Sequence, residues 1–242
     1  MIVTERFVYI HLHRTGGSFL NECLMRFFPG ARQVGYHLPR RMVPREYADF
    51  PVIGFVRNPW DYYVSWYHFQ RSRPVPNALF ECASDRGRLD FKGTIANLVN
   101  LGSEDATLDR LLPLLNEGYV NYGLNVPRGQ MAAIRGSGLG FFSFLYRYMY
   151  LGLGGPLHVG RSENLRQDFL DLLAKIGDRA SEEAQQFILE QSRRNASEHT
   201  SYGSYYDDDL RDLVATRDRE LIDTYGYRFE NRSEAATPAG TA

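Results

Sequence analysis

Two short stretches of this chain set cationic and hydroxyl side chains beside backbone that can itself bind an anion. The first is His13-Arg14-Thr15-Gly16-Gly17-Ser18. The second is Arg57-Asn58-Pro59, with Ser65 two helical turns further on. A guanidinium is permanently charged, and its planar fork matches the oxygens of a phosphate or sulfate. Gly16 and Gly17 permit positive φ and a close approach of backbone to ligand. Thr15 and Ser18 add hydroxyl donors. A ligand with anionic groups at two separate places would account for both stretches at once.

Such residues need a frame. Phe7 to Leu12 and Val52 to Val56 are short apolar runs, as expected of strands buried on both faces. Ser18, Phe19, Leu20, Cys23, Leu24 and Phe27 follow the first run with helical spacing. Asn58 is a good N-cap, Pro59 suits the first helical position, and Asp61 suits the positive helix end. Each stretch therefore reads as strand, turn and helix start. Two such junctions belong at one edge of a parallel sheet, where α/β proteins bind phosphorylated ligands. Helix initiation alone explains Asn58, Pro59 and Asp61; it does not explain Arg57 or Ser65. The nucleotide-triphosphatase loop, Gly, four residues, then Gly-Lys-Ser/Thr, is absent. The second strand also lacks an acidic terminus to hold magnesium, which disfavours a kinase.

The loop around Gly16-Gly17 resembles the 5′-phosphosulfate loop of sulfotransferases that use 3′-phosphoadenosine-5′-phosphosulfate. Arg57-Asn58-Pro59 with Ser65 resembles their 3′-phosphate motif, and order and separation are similar too. The similarity is greatest to the small bacterial and carbohydrate-type branch. Val159 to Leu165 resembles the family's late strand-to-helix junction. Asn195-Ala196-Ser197, Tyr205-Tyr206 and Tyr225 to Phe229 resemble its closing segment. The resemblance implies a three-layer α/β fold with a central parallel sheet and a P-loop-like phosphate loop. It implies transfer of a sulfuryl group from that donor to a hydroxyl or amine of a carbohydrate or small-molecule acceptor, with no metal required. Donor contacts would come from His13, Arg14, Thr15, Gly16, Gly17, Ser18, Phe19, Arg57 and Ser65, and from Arg194, Asn195 and Ser197 closing over the 3′-phosphate. The family usually has lysine where this chain has Arg14, a residue expected to stabilise the leaving phosphate. The only lysines here are Lys92 and Lys175, so arginine fills nearly every basic position. A non-catalytic nucleotide-binding module of the same fold is the alternative that Arg14 keeps open.

A hydroxyl acceptor needs a base, and histidine has the intrinsic pKa for it. Of His11, His13, His37, His68, His158 and His199, His37 is the candidate, lying between the two anion motifs, where family members often carry a histidine. His13 sits in the loop itself, and His11 reads as a strand residue facing a helix. Glu163 reads as a cap for the helix starting at Leu165, with pairing to Arg57 or Arg161 as the alternative.

The 242 residues suit one α/β domain over 1–230 with a polar, disordered tail at 231–242. A formal net charge of −1, from 28 basic and 29 acidic residues, gives no global footprint for nucleic acid. Two cysteines, Cys23 and Cys82, build neither a disulfide framework nor a thiolate metal site. The first strand does not read as a signal peptide and no apolar stretch reaches spanning length, so a cytoplasmic protein is expected. Further elements are expected as a short helix at Val43–Asp49, helices at Phe91–Leu101 and Leu108–Leu115, a strand at Leu157–Gly160, and helices at Leu165–Ile176, Ser181–Arg193 and Leu210–Ile222. Residues from about 73 to 155 are the least regular and read as an insertion covering the acceptor site.

Overall fold

The computed structural model describes residues 1–103, 105–190 and 201–230. Arg194, Asn195, Ser197, His199 and the tail from residue 231 lie outside the described residues. In chain order the regular elements are β1 (Ile2–Val3), β2 (Val8–Tyr9), α1 (Gly17–Phe27), β3 (Arg32–Gln33), β4 (Val52–Val56), α2 (Pro59–Arg71), α3 (Ala78–Ala83), α4 (Phe91–Val99), α5 (Asp105–Leu111), α6 (Arg128–Ala132), α7 (Phe141–Tyr150), β5 (Leu157–Arg161), α8 (Leu165–Lys175), α9 (Glu182–Glu190), α10 (Asp208–Arg217) and α11 (Arg219–Tyr225).

The strands form one sheet in the order β3-β1-β2-β4-β5. β4 runs parallel to β2, pairing Val8 with Val52, and parallel to β5, pairing Val56 with Arg161. β1 is antiparallel to both β2 and β3, so the sheet is mixed, with its parallel part where the two anion motifs leave it. Alternation along the strands sorts their side chains to two faces. Phe7, Tyr9, Ile53 and Phe55 pack with Leu20, Leu24, Phe169 and Ile188 from α1, α8 and α9. Val8, Ile10, Val52 and Val56 pack against α2, α4, α7 and α10 on the other face. The result is a three-layer α/β sandwich.

Several expected bounds change for physical reasons. β2 is only two residues long, although Phe7 to Leu12 are all buried: it pairs with β4 only through Val8–Val52 and Tyr9–Ile53, and with β1 over two residues. The helix expected at Val43–Asp49 is instead a pair of 3₁₀ turns, Arg40–Met42 and Arg45–Tyr47, each entered from a proline, Pro39 and Pro44. The final helix is two, broken at Asp218. That buried carboxylate accepts from the Tyr63 hydroxyl at 2.7 Å and from the Ser143 backbone N–H at 2.8 Å, tying α10 to α2 and to the start of α7. No helix among the described residues is long and apolar enough to cross a membrane.

The end of α7 anchors the strand that carries the second motif. The Tyr150 hydroxyl accepts from Phe55 N–H at 2.8 Å and donates to Phe55 C=O at 2.9 Å. Gly54 makes room for it, since the Tyr150 ring fills the space a Cβ would need.

Candidate functional site

The loop after β2 turns through two left-handed residues, Arg14 at φ 62° and Gly16 at φ 83°. Thr15 is fully buried, and its hydroxyl donates to Leu12 C=O at 2.8 Å, closing the turn; its proton is thus spent inside the fold. α1 then begins with no side-chain cap and no acidic residue in its first turn. Its positive end is left uncompensated by the protein. Gly17 is required here, because a Cβ would collide with the His11 ring. α2 begins differently. The Asn58 side chain accepts from Trp60 N–H at 3.1 Å, Pro59 has no N–H to satisfy, and Asp61 lies in the first turn.

Four-residue spacing places Asp61, Ser65 and Phe69 on one face of α2. Arg57 Nε donates to Asp61 Oδ2 at 2.7 Å, and Arg57 Nη1 donates to Arg14 C=O at 3.1 Å. Arg14 lays its Nε and Nη2 on the Ser65 hydroxyl, at 3.1 and 2.9 Å, and its guanidinium carbon sits 4.4 Å from the Phe69 ring centroid. The hydroxyl expected beside Arg57 is therefore held by Arg14. Burial, then the neighbouring Arg57 charge, lowers the Arg14 pKa to about 10, so it remains cationic at neutral pH. Two guanidiniums of the same sign thus share a half-buried corner beside an open helix N-terminus.

Glu163 does not cap α8, whose N-cap Asn164 makes no side-chain capping bond. It reaches across to the second motif instead, accepting from Asn58 N–H at 2.6 Å and from the Tyr227 hydroxyl at 3.3 Å. Burial raises its pKa against those contacts. Asn58 Nδ2 donates to Arg228 C=O at 3.0 Å, and the Tyr206 hydroxyl donates to Trp60 C=O at 2.8 Å. The described part of the closing segment therefore clamps the start of α2.

The histidines gather on the other side of the Gly16 loop. His37 stacks on His13 with ring centroids 3.6 Å apart and planes 13° apart, and His11 lies 4.3 Å from His37. His37 adopts a left-handed backbone, φ 53°, a conformation a non-glycine residue keeps only under local constraint. Its Nδ1 is 2.7 Å from His11 C=O. A carbonyl only accepts, so Nδ1 carries the proton and Nε2 keeps a free lone pair. Burial pushes the His37 pKa down to about 4, away from the near-neutral value on which its expected role as base partly rested. His11 and His13 are held well below the usual histidine value, first by burial and then by the charge of their neighbours.

Arg14, Arg57, Asp61, Phe69, Glu163 and the three histidines line one cleft of about 1820 Å³, whereas Thr15 and Ser65, both expected to touch the donor, are fully buried and do not line it. Arg14, Gly16, Gly17, Ser18, Phe19 and Arg57 border it, as do His13 and His37. Residues 72–78 and 114–126 contribute much of the remaining wall. Ser18 is exposed, and Phe19 is half-buried and stacked on Phe187 at 5.8 Å. His68 packs edge-on against Tyr67 and Tyr205, and His158 lies on β5, away from the cleft. Sequence reasoning missed Phe69, Asp61 as the partner of Arg57, and Glu163 as the partner of Asn58. The spacing of 57, 61, 65 and 69 was a usable signal for the first two; nothing local announces the third.

No protein-family model matches this chain, and no curated protein shows significant sequence similarity to it. Among solved structures it is similar to mouse sulfotransferase SULT7A1 complexed with PAP, at 12% identity and a TM-score of 0.43, over 93% of this chain and 89% of that one. A likeness this distant assigns neither activity nor ligand.

Proposed function

We propose that this protein is a sulfotransferase that takes a sulfuryl group from 3′-phosphoadenosine-5′-phosphosulfate and passes it to an acceptor hydroxyl or amine. The observation that carries the reading is the Arg14–Arg57 corner. Two cations share it with a single carboxylate, that of Asp61; Arg57 bonds to the Arg14 carbonyl, and the uncapped start of α1 lies alongside. Like charges so placed favour an anionic ligand. The two junctions differ in a way that suits a donor with two unlike anionic groups. The open N-terminus of α1 would take the 5′-phosphosulfate through the backbone of Gly16, Gly17 and Ser18. α2, already capped, would contribute side chains, with Arg57 toward the 3′-phosphate.

In the reaction, the acceptor hydroxyl gives its proton to His37 Nε2 as its oxygen bonds to sulfur. The bond between sulfur and the 5′-phosphate oxygen breaks, and the leaving phosphate keeps the electron pair. Arg14 and the N–H groups of the loop stabilise charge on that leaving oxygen. The His37 tautomer supports its role, because only Nε2 is free to accept.

Two measurements test the reading. Calorimetry should detect 3′-phosphoadenosine-5′-phosphate binding to the full chain, and labelled donor should transfer its sulfate to a simple alcohol or phenol. Binding without transfer to any acceptor would leave a nucleotide-binding module. No binding would remove the proposal.

A further inference from the structure

The wall of the cleft away from Arg57 has a composition of its own. Nine large hydrophobic side chains are exposed among the described residues, and four of them, Tyr36, Val75, Leu114 and Tyr122, line this cleft. Val75 is 79% exposed and Tyr122 67%. Apolar side chains concentrated at the mouth of a cleft mark a surface that something apolar covers.

Several polar side chains of this half are already committed. Gln70 Oε1 accepts from Asn77 N–H at 3.0 Å, and the Asn77 side chain accepts from Phe80 N–H at 2.9 Å to cap α3. Asn125 Nδ2 donates to Tyr36 C=O at 2.7 Å, while its buried Oδ1 has no partner among the described residues. The free Asn125 Oδ1 can accept from one ligand hydroxyl, but a sugar with several hydroxyls would give up more bonds to water than this wall returns. Among the described residues the carboxylates that line the cleft, Asp61, Glu163 and Glu230, belong to the α2 start, the β5–α8 junction and the chain's closing segment. The wall formed by residues 66–78 and 114–126 contributes no carboxylate to the lining.

It does contribute a cation. Arg73 continues the four-residue series of Arg57, Asp61, Ser65 and Phe69 just past the end of α2. Its guanidinium lies 5.5 Å from the Phe69 centroid, the ring that Arg14 also faces. Among the described residues its side chain makes no ion pair. At the inner end, the Tyr36 ring meets His37 edge-on at 4.1 Å, so the apolar wall starts beside the base.

We propose that the acceptor is a hydroxylated aromatic acid. Its ring system lies along Tyr36, Leu114, Val75 and Tyr122, its reacting hydroxyl points to His37, and its carboxylate is held by Arg73. The proposal rests on the transfer reading above and names the acceptor class for that same site.

Calorimetry on the full chain without donor tests it, using 6-hydroxy-2-naphthoate, 2-naphthol and N-acetylglucosamine as probes. The naphthoate should bind about five- to tenfold more tightly than 2-naphthol, as one solvent-accessible ion pair allows, and the sugar should not bind measurably. Arg73→Gln should erase the difference between the two naphthyl probes while leaving 2-naphthol affinity unchanged. Arg73→Glu should reverse the preference. Leu114→Ser should weaken both naphthyl probes alike. Equal affinities of the two naphthyl probes in the wild type, or sugar binding as tight as theirs, would overturn the proposal. Binding of 3′-phosphoadenosine-5′-phosphate in parallel separates the two readings. A chain that binds the nucleotide but no aromatic probe removes the acceptor assignment alone. One that binds the naphthoate but not the nucleotide keeps the aromatic-acid site and removes the transfer reading.

Discussion

The Arg14 guanidinium meets Ser65 along one edge, with Nε at 3.1 Å and Nη2 at 2.9 Å from the same hydroxyl oxygen. That contact spans 51 residues of chain. It exists because β2 and β4 are parallel neighbours whose following helices start at one sheet edge. With the Phe69 face 4.4 Å from the guanidinium carbon, it fixes the plane of the arginine as well as its position.

A lysine at position 14 would keep the charge but not the planar fork or the flat stacking on Phe69. Arg14→Lys is therefore expected to lower kcat by about tenfold with little change in donor affinity, the pattern of a contact made mainly in the transition state. Phe69→Leu should move kcat in the same direction by a smaller factor. Steady-state kinetics with the donor varied gives both numbers. A Lys variant as fast as wild type would show that the stacking does not matter.

Arg57 is oriented by Asp61 and by the Arg14 carbonyl. Its loss should weaken 3′-phosphoadenosine-5′-phosphate by about ten- to a hundredfold, as for a charge-assisted contact of about 1.5–3 kcal/mol. The analogue without the 3′-phosphate should be affected far less. Calorimetry of both ligands against Arg57→Ala decides, and equal weakening would move the 3′-phosphate elsewhere.

His37→Ala should preserve donor affinity and reduce transfer to a hydroxyl by about 10²–10⁴-fold. The neutral ring is the active form, and with a pKa near 4 it stays neutral throughout the physiological range. Wild-type activity should accordingly show no acid limb attributable to this residue until the pH falls toward about 4–5. An acid limb that persists unchanged in His37→Ala would place the base elsewhere, and His13 would be tested next.

The same burial makes the fold sensitive to acid. His11, His13 and His37 remain neutral in the folded chain at pH values where they take up protons in the unfolded one. The unfolded state then binds more protons, so this contribution is complete above about pH 6.5 and is lost as the pH falls toward the depressed values. Each histidine adds a slope of up to about 1.4 kcal/mol per pH unit. Buried Asp218, and Glu163, both with raised pKa values, act with the opposite sign. Comparing wild type with His13→Phe, which retains a ring to stack on His37, isolates one histidine. Urea midpoints measured between about pH 7.5 and 5.5 should fall more steeply for the wild type. Parallel curves would show that His13 does not titrate on unfolding.

Much of the frame was legible because its signals are local. Val52–Val56 is a strand and Pro59–Arg71 a helix, as the apolar run and the Asn58-Pro59 start indicate. α1 likewise follows from the glycine pair and the apolar spacing after it. Residues 73–155 were harder, because α7 is buried almost throughout and so lacks the one-sided pattern that marks a surface helix. The break at Asp218 was invisible for a different reason: its partners, Tyr63 and Ser143, are 155 and 75 residues away.

By itself, then, the sequence determined which kinds of groups the cleft would hold: two arginines, a glycine turn, hydroxyls and a histidine, each tied to a strand end or helix start by short-range rules. Only the tertiary structure decided which group meets which. Ser65 went to Arg14 and not to Arg57, Thr15 turned inward, and Glu163 crossed to Asn58. His37 acquired its tautomer from a carbonyl of another segment and its low pKa from burial. Pairing of this kind depends on strand order, on the angle at which helices leave the sheet, and on exclusion of water. These are properties of the packed molecule that no local run of residues carries.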